Sequence, residues 1–452
     1  MCSDLIKEFH VGDYGAKPDG VTINTAAIQR AIDSAAAAGG GKVTFNKGVY
    51  VTGALFLKSG VEMHIAEGAE IRGVQDETAY PEMLSRVAGF HLYWPSALIN
   101  VCGQSRVKIS GKGVINGQGE YWWEKFWGKD RQGGMLKEYK EKNLRWAADY
   151  DCKRPRLLLV MNSSDILIEN LTLEKSPFWN IHICYSNNVT VDGVMIRENT
   201  GPSSDGIDID SSTDILVQNC DIDCNDDNLC IKSGRDADGL RVNRPTENVV
   251  IRDCITRSGH GMVTFGSETS GGARNIEVYN IKAYGTRTGL RFKSARTRGG
   301  VYERISVHDI EMVDVPHPFS FQLNWHPSYS YAKIPDDWKG DIPDHWEIIT
   351  EPVDPELGIP EFRDISIANV SAKSSNISRS VALEAEAYPE KPIRNVRWEN
   401  VMIEAQTEGS IRYAQDWTMK NVVIRTADGA PLRTEQCWNV QLPRIGTLFK
   451  IS

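Results

Sequence analysis

A nine-residue pattern of alternating apolar and polar positions recurs along the chain. It runs Asn or Asp, apolar, any, apolar, any, a polar residue or Gly, apolar, any, and then an apolar or small residue. Such short alternation predicts β-strands, and the polar position in the middle predicts a bend between two strands. The ten copies begin at Arg106, Asp165, Asn188, Asp214, Asn248, Asn275, Arg304, Asp364, Asn395 and Asn421.

A third apolar segment lies between successive copies of this pattern. These segments are 156–162, 180–186, 206–210, 228–233, 262–267, 290–294 and 319–323. Three short strands in each period are typical of a solenoid, whose rungs stack at roughly 4.7–4.9 Å. We therefore predict an all-β fold, a single-domain right-handed parallel β-helix, for the whole chain 1–452.

The bend position carries residues that tolerate a left-handed backbone and can hydrogen-bond the next rung. They are Asn170, Gly193, Asn219, Asp253, Asn280, Asp309, Asn369 and Asn400. The position after the bend is aliphatic in most copies, but Cys220 and Cys254 occupy it in two. Since no C-x-x-C pair occurs, we interpret these cysteines as buried core residues rather than metal ligands.

The remaining segments predict a cap and two insertions. An N-terminal cap at about 8–75 contains an amphipathic helix from Asn24 to Ala38, expected to cover the open end of the solenoid. Rungs are expected at about 100–430, with insertions at about 118–155 and 316–361. The insertions hold seven of the 12 tryptophans, Trp122, Trp123, Trp127, Trp146, Trp325, Trp338 and Trp346. Core packing is a poor explanation for tryptophans in surface insertions. Two other roles for them stay open, stacking on sugars and rigid packing of the loops.

Composition narrows the classes of function. Hydrophobic residues make up 41% and charged residues 25%, as in ordinary globular proteins, and no apolar run is long enough to span a membrane. The net charge of −9 provides no field that favours nucleic acid. An acidic ligand therefore needs a local basic cluster, and the segment 287–298 supplies one without any acidic residue. Its cations are Arg287, Arg291, Lys293, Arg296 and Arg298.

The N-terminus and the cysteines bear on the compartment. The first eight residues lack the basic head and apolar stretch of a signal peptide. Together with the unpaired cysteines this favours a bacterial cytoplasmic protein, or a periplasmic or secreted one whose signal has been removed. Cys2 as the acylated first residue of a lipoprotein is a further possibility. The oligomeric state stays open.

Polar residues recur at equivalent positions beside the third strand of four consecutive rungs. The chain presents Asp205, then Asp226 and Asp227, then His260, and finally a pair of cations. Carboxylates on neighbouring rungs are expected roughly 5–10 Å apart, which admits a sugar bond and a water, as in an inverting glycosidase. We also expect Asp226 and Asp227 to raise each other's proton affinity, which favours a carboxylic acid that is still protonated.

These residues resemble the signature blocks of the polygalacturonase family, glycoside hydrolase family 28, in its exo-acting bacterial branch. The blocks are Ser-Ser-Asp at 203–205, Asp-Asp at 226–227, Gly-His-Gly at 259–261 and Arg-Phe-Lys at 291–293. The N-terminal VGDYGAKPDGVTINTAAIQRAI and the segment 231–239 are also similar. The family's first block is usually Asn-Thr-Asp, so Ser203 and Ser204 remove an Asn contact to sugar and loosen the assignment of the preferred sugar.

The resemblance implies roles for individual residues. Asp226 would be the general acid, Asp205 and Asp227 would hold the water, and His260 would tune the acid. Arg291 and Lys293 would bind a substrate carboxylate, with His182 and Arg235 as further expected substrate-binding residues. No metal or other cofactor is implied.

The predicted function is an inverting galacturonidase acting on pectic chains or oligosaccharides, more exo than endo. The exo preference rests on the insertions and on the excursion at about 76–98, which are expected to close one end of the groove. Alternatives within the same fold are a rhamnogalacturonan hydrolase or a rhamnogalacturonan galacturonohydrolase. From other classes, a calcium-dependent pectate lyase and a non-catalytic carbohydrate-binding β-helix stay open.

Overall fold

Three stacks of parallel strands run the length of the protein, whose computed structural model describes residues 7–448. Stack 1 and stack 2 correspond to the two halves of the nine-residue pattern, and stack 3 to the third segment. In stack 1 the apolar side chains of Val107, Ile166, Val189 and Ile215 lie in register on four successive rungs. The strands confirm the predicted all-β, right-handed parallel β-helix.

The bounds of the strands are as follows. Stack 1 contains Glu8–His10, Gly41–Phe45, Val61–Ile65, Ser105–Ser110, Ser164–Glu169, Asn187–Asp192, Thr213–Gln218 and Thr246–Arg252. Stack 2 contains Asp19–Ile23, Gly48–Thr52, Ala69–Gly73, Val114–Asn116, Thr172–Glu174, Met195–Asn199, Asp221–Cys224, Ile255–Thr256 and Arg444–Thr447. Long strands span stacks 1 and 2 at Ala273–Tyr284, Val301–Val313, Glu361–Lys373, Ile393–Glu404 and Thr407–Thr426, the last of which begins in stack 3.

Stack 3 lies on the face that carries the candidate chemistry. It contains Leu55–Phe56, Ile99–Cys102, Leu158–Met161, Ile181–Cys184, Ile207–Asp210, Leu229–Lys232, Val263–Phe265, Thr288–Lys293, His317–Gln322, Val381–Glu386 and the start of Arg433–Val440. Outside the stacks, Glu82–Val87 and Phe90–Pro95 pair as an antiparallel hairpin. The α-helices are Thr25–Ala37, Glu120–Trp127, Gly134–Glu141, Ala148–Asp151, Asp236–Val242, Pro327–Ser330, Asp344–Ile349 and Pro355–Gly358, and 3₁₀ turns lie at Val11–Tyr14 and Glu77–Ala79.

The bend residues form the predicted ladder. Asn369 and Asn400 have φ of 53° and 55°, in the left-handed region that Asn tolerates. The Asn400 side-chain amide donates to Asn369 Oδ1 at 3.1 Å and Oδ1 of Asn400 accepts from Asn421 at 2.9 Å. Asn421 therefore lies at the bend of its rung, and the prediction that it begins a copy of the repeat is wrong. Just inside the bend, Cys220 and Cys254 are each 1% exposed in the core, which confirms them as buried thiols.

Two predicted boundaries are wrong. The segment 8–75 is not only a cap, because its strands alternate in burial like the later ones and pair in parallel from Glu8 onward, without the Asn or Asp signature of the repeat. Only the helix Thr25–Ala37 covers the end, with Ile28 and Ile32 fully buried against the first rungs. The insertion predicted at 316–361 begins after the strand His317–Gln322, which pairs on both sides within stack 3. We call 118–155 the first insertion and 323–360 the second insertion.

Four of the seven insertion tryptophans are buried, contrary to the expectation that core packing explains them poorly. Trp146 and Trp346 are 1% and 2% exposed, with ring centroids 5.2 Å apart, in a second core that joins both insertions to the hairpin. Trp122 and Trp123 are also buried. Packing therefore accounts for these four: Trp146 and Trp346 lie in the second core, Trp122 lies in the main core, and the Trp123 indole donates to the Ser176 carbonyl oxygen at 2.9 Å. No helix among residues 7–448 is long and apolar enough to cross a membrane.

Candidate active site

A cavity of about 420 Å³ lies over stack 3. Its floor comes from Asp205 and Asp226, in the turns before two strands of stack 3, and from Lys293, which alternates with the inward Leu290 and Phe292. Its walls come from the excursions: Ala88 at the tip of the hairpin, residues of the first insertion, and residues of the second insertion. The wall residues of the two insertions are Arg145, Asp149, Trp325, His326 and Tyr329.

Asp227 is fully buried between two cations. Arg291 and Lys293 alternate with the inward Leu290 and Phe292 on one strand, so both project outward toward it. Arg291 Nη1 donates to Oδ1 of Asp227 at 2.8 Å and Lys293 Nζ donates to Oδ2 at 2.7 Å. Burial raises the pKa of Asp227, but Lys293 and then Arg291 outweigh it and hold that pKa well below its usual range.

Asp226 lies beside His260. The imidazole Nδ1 is 3.3 Å from Oδ1 of Asp226, and the His260 amide donates to the Asp226 carbonyl oxygen at 2.9 Å. Both flanking glycines are required by close packing, since a Cβ on Gly259 would lie 2.4 Å from the Asp226 carbonyl oxygen and one on Gly261 would lie 2.2 Å from Thr264 Oγ1. The two glycines of the Gly-His-Gly motif therefore allow the close packing that places the His260 imidazole beside the Asp226 carboxylate.

The expected mutual rise in proton affinity of Asp226 and Asp227 is wrong in its net result. Burial and the charge of Asp227 do raise the pKa of Asp226, but the charge and hydrogen bond of His260 outweigh them and bring it to about 2. Asp226 in turn raises the pKa of His260. In the free protein the proton of this pair therefore resides on the imidazole, 3.3 Å from the carboxylate that would use it.

Asp205 completes the group of carboxylates. It is 4% exposed, and one of its oxygens lies within 4.8 Å of an oxygen of Asp227, closer than the range expected for neighbouring rungs. Two acceptors at this separation can hydrogen-bond the same water molecule. Burial, followed by the charges of Asp208 and Asp226, raises the pKa of Asp205 well above its usual range. The pKa of Asp205 is therefore raised by burial and neighbouring carboxylates, whereas the pKa of Asp227 is lowered by Lys293 and Arg291.

Ser203 and Ser204 stand where the resemblance expects Asn-Thr. Ser203 lines the cavity with a left-handed φ of 52°. Ser204 is buried and its hydroxyl donates to the Gly201 carbonyl oxygen at 2.8 Å, so it holds the turn before Asp205 rather than reaching the cavity.

Two residues expected to bind substrate lie beneath the cavity instead. His182 is fully buried, with Nδ1 2.9 Å from Arg156 and Nε2 3.5 Å from Asp210. Arg235 is also fully buried, and its guanidinium donates to the Tyr150 hydroxyl at 2.8 Å and to the Tyr329 carbonyl oxygen at 2.8 Å. Neither side chain lines the cavity: the His182 ring packs edge-on against Trp179 at a centroid distance of 4.8 Å, and Arg235 supports the wall through Tyr329.

Only part of the basic segment 287–298 lies at the cavity. Arg287, Arg291 and Lys293 line the cavity. Arg296 is exposed and pairs with Glu390 at 2.9 Å, and Arg298 is fully buried against Asp236. Only the first three cations are therefore placed to meet an acidic ligand.

Sequence reasoning missed Lys232, Glu268 and Trp179, which also line the cavity. Lys232 had a signal, since a lysine among the apolar residues of Leu229–Lys232 must face away from the core or have partners. Glu268 follows its strand in an irregular loop and gave no periodic signal. Trp179 lies in a turn before stack 3, where the sequence pattern carries no information on direction.

Two groups of described residues bring three potential metal-ligating atoms within 4.8 Å. They are His182, Cys184 and Asp210, and Asp205, Asp227 and Cys230. In each group a carboxylate already has an arginine or lysine partner, Arg86 on Asp210 at 3.0 Å and Lys293 on Asp227 at 2.7 Å. These donor sets therefore fit an ion-pair network better than a metal ion.

Comparison with known proteins agrees with this arrangement. The model of glycosyl hydrolases family 28 matches residues 93–333, and a "Rhamnogalacturonase A/epimerase, pectate lyase-like" model matches residues 9–64. A probable polygalacturonase of Vitis vinifera is 32% identical over 69% of this chain, and an exo-poly-alpha-D-galacturonosidase of Dickeya chrysanthemi is 28% identical over 65%. The matches span only 62% and 53% of the lengths of those two proteins.

The fold has a solved counterpart over nearly its whole length. The crystal structure of a hyperthermoactive exopolygalacturonase from Thermotoga maritima superposes with a TM-score of 0.77 at 28% identity, covering 92% of this chain and 91% of that one. The match of the family 28 model contains all four motifs that meet in the cavity. The chain therefore belongs to glycosyl hydrolases family 28.

Proposed function

We propose that this protein is an inverting, exo-acting hydrolase of α-galacturonosyl linkages in pectic chains or oligosaccharides. The observation that carries the proposal is the convergence of Asp205, Asp226, Arg291 and Lys293 in one cavity, with Asp227 buried against both cations. Three carboxylates supply the acid and base work of glycoside hydrolysis, and the cations suit a sugar that bears a carboxylate.

Proton transfer to the leaving oxygen would come from the Asp226–His260 pair. As the glycosidic oxygen approaches Asp226, the proton on His260 Nδ1 shifts across 3.3 Å to the carboxylate, which passes it to that oxygen as the sugar bond breaks. Asp205 and Asp227 hold the attacking water and accept its proton. The water oxygen bonds to the anomeric carbon on the face opposite the leaving group, so the product has inverted configuration.

The cations have donors to spare for the substrate. Arg291 and Lys293 each donate one hydrogen bond to Asp227, while a guanidinium carries five N–H donors and an ammonium three. The Trp325 ring lies 4.4 Å from Lys293 Nζ and provides an apolar face beside the charged site. A galacturonate unit, with a carboxylate on an otherwise apolar sugar face, complements this combination.

The walls of the cavity support exo action. The hairpin and both insertions meet in the second core, and Asp151 of the first insertion accepts from Trp346 of the second at 2.9 Å. Packed in this way, they form a fixed barrier against which a chain can end rather than pass. The names of the relatives from Dickeya chrysanthemi and Thermotoga maritima, both exo-acting, agree with the proposal.

Digestion of homogalacturonan with early product analysis tests the proposal. We expect one short product from the first turnovers onward, without ultraviolet absorbance from an unsaturated sugar. A ladder of oligomers would exclude exo action, and unsaturated products would indicate a lyase. Faster turnover of rhamnogalacturonan oligosaccharides than of homogalacturonan oligosaccharides would assign the site to that substrate instead.

A further inference from the structure

Lys232 occupies the floor of the cavity with no assigned role. It ends the strand Leu229–Lys232, whose Leu229 and Ile231 lie in the core, so its side chain points the other way. The side chain is 4% exposed and its ammonium lies 4.9 Å from the Trp179 ring. A buried ammonium in this position requires partners, and their identity defines what the lysine does.

Three carboxylates face the Lys232 ammonium. Nζ donates to Oε2 of Glu268 at 3.0 Å and lies 3.5 Å from Asp208 Oδ1 and 3.6 Å from Asp205 Oδ2. Among residues 7–448, it is the cation paired with Asp205, because Arg291 and Lys293 are engaged by Asp227. Glu268 gives the shortest contact and so fixes where the ammonium lies.

We propose that Lys232 is a positioning residue of the hydrolysis: its ammonium favours the ionised form of Asp205 and orients this carboxylate toward the attacking water, and Glu268 holds Lys232 in place. This rests on the proposed function for the identity of the reaction. The charged and titratable groups around Asp205 are Lys232, Asp208, Asp226, Asp227 and Cys230. All of them except Lys232 are acidic, and the buried Arg154 is a further cation whose charge interacts with Asp205. In the part of the chain that the structure describes, Lys232 is the cation within 4 Å of Asp205, so it is the nearest charge that favours the ionised form.

The direction of the pH effect follows. Burial, then Asp208 and Asp226, raises the pKa of Asp205, while Lys232 lowers it. Removing the ammonium therefore raises that pKa further. Because Asp205 must be ionised to accept a proton from water, the acidic limb of the pH profile of kcat/KM moves to higher pH when Lys232 is neutralised.

The test compares the pH profiles of Lys232→Met, Lys232→Arg and the wild type on an oligogalacturonide. We expect the acidic limb of Lys232→Met to move up by about one pH unit or more, with kcat at low pH falling about 10- to 100-fold and KM changing less than about threefold. Lys232→Arg restores most of the activity. Lys420→Met is the matched control, since Lys420 also pairs with a glutamate, Glu399 at 2.6 Å, but is 79% exposed and far along the chain.

A double variant separates positioning from simple support of the fold. Lys232→Met with Glu268→Gln removes the unpaired buried charge that the single variant leaves, so it should fold better. If Lys232 only balances Glu268, the double variant regains the wild-type pH profile, which would overturn the proposal. We expect its acidic limb to stay shifted, because Asp205 still lacks its cation.

A titration of Asp205 without substrate tests the role of Lys232 independently of the proposed function. Carboxyl-labelled aspartate NMR, with Asp205→Asn to assign the signal, reports the pKa of Asp205 in the wild type and in the double variant. A higher pKa in the variant supports the role of Lys232 whatever the substrate, and an unchanged pKa overturns it. Absence of wild-type activity on galacturonan would overturn the proposed function alone.

Discussion

Lys293 Nζ donates a hydrogen bond of 2.7 Å to Oδ2 of Asp227, a carboxylate with no exposed surface, 66 residues earlier in the chain. The contact joins two rungs of the β-helix that each contribute a signature motif. It favours the anionic form of Asp227, whose pKa is held well below its usual range by Lys293 and Arg291 against the effect of burial. The order of charges along stack 3 thus creates an acceptor that stays ionised while Asp205, nearby, is far easier to protonate.

Replacing Asp227 by Asn is expected to reduce stability in a pH-dependent manner. The variant leaves Arg291 and Lys293 buried without their counter-ion, which costs roughly 3–5 kcal/mol at neutral pH. Because the pKa of Asp227 is lowered in the folded protein, its contribution is complete above the ordinary Asp pKa near 4 and is lost as the pH falls below that value.

Thermal unfolding at pH 7 and at pH 3 measures this dependence. The difference in Tm between the wild type and Asp227→Asn should be large at pH 7 and smaller at pH 3. The same difference at both pH values would show that Asp227 is not ionised in the folded protein.

The bend ladder predicts a graded loss of stability at Asn400. Asn400→Ala loses the hydrogen bonds to Asn369 and Asn421. It also leaves an alanine at φ of 55°, a left-handed backbone that alanine tolerates less well than asparagine or glycine. We expect a cost of about 2 kcal/mol for Ala and about 1 kcal/mol for Gly, which removes the hydrogen bonds but accepts the backbone. Equal costs in chemical denaturation would mean that the left-handed backbone contributes nothing at this corner.

The basic segment 287–298 supplies a prediction with an internal control. Arg287 lines the cavity, whereas Arg296 pairs with Glu390 on the exterior. Arg287→Ala should raise KM for galacturonate oligomers about three- to tenfold with little change in kcat, because the lost charge attracts substrate without touching the reacting bond. Arg296→Ala should leave both constants unchanged. Similar effects of the two variants in steady-state kinetics would refute the division of the cluster.

The packed wall predicts that the product profile depends on Trp146. Trp146→Ala removes a fully buried ring from the second core and should loosen both insertions, at a cost of about 3–5 kcal/mol distributed over the wall. We expect the single short product of homogalacturonan digestion to give way to a mixture of lengths. Trp438→Ala, at an exposed position near the C-terminal end, should retain the wild-type profile.

The periodic part of the molecule was accessible from the sequence, and the non-periodic part was not. Asn400 and Cys220 were assigned correctly because a repeat fixes the direction of every side chain once one copy is aligned. His182 obeys the same alternation and faces outward, yet its burial against Arg156 and Trp179 is not encoded in the repeat. The close contact of His260 with Asp226 was foreseen from two motifs, whereas its net effect on the pKa depends on distances that no pattern encodes.

Stereochemistry at the anomeric carbon tests the central claim most directly. The claim is that Asp205 and Asp227 activate a water while the Asp226–His260 pair protonates the leaving oxygen. Proton NMR of a fresh digest of an α-galacturonate oligomer, recorded before mutarotation, should show the β-anomer of the released sugar first, and Asp226→Asn should abolish its appearance. An α-anomer formed first, or an Asp226→Asn variant with wild-type rates, would contradict the account.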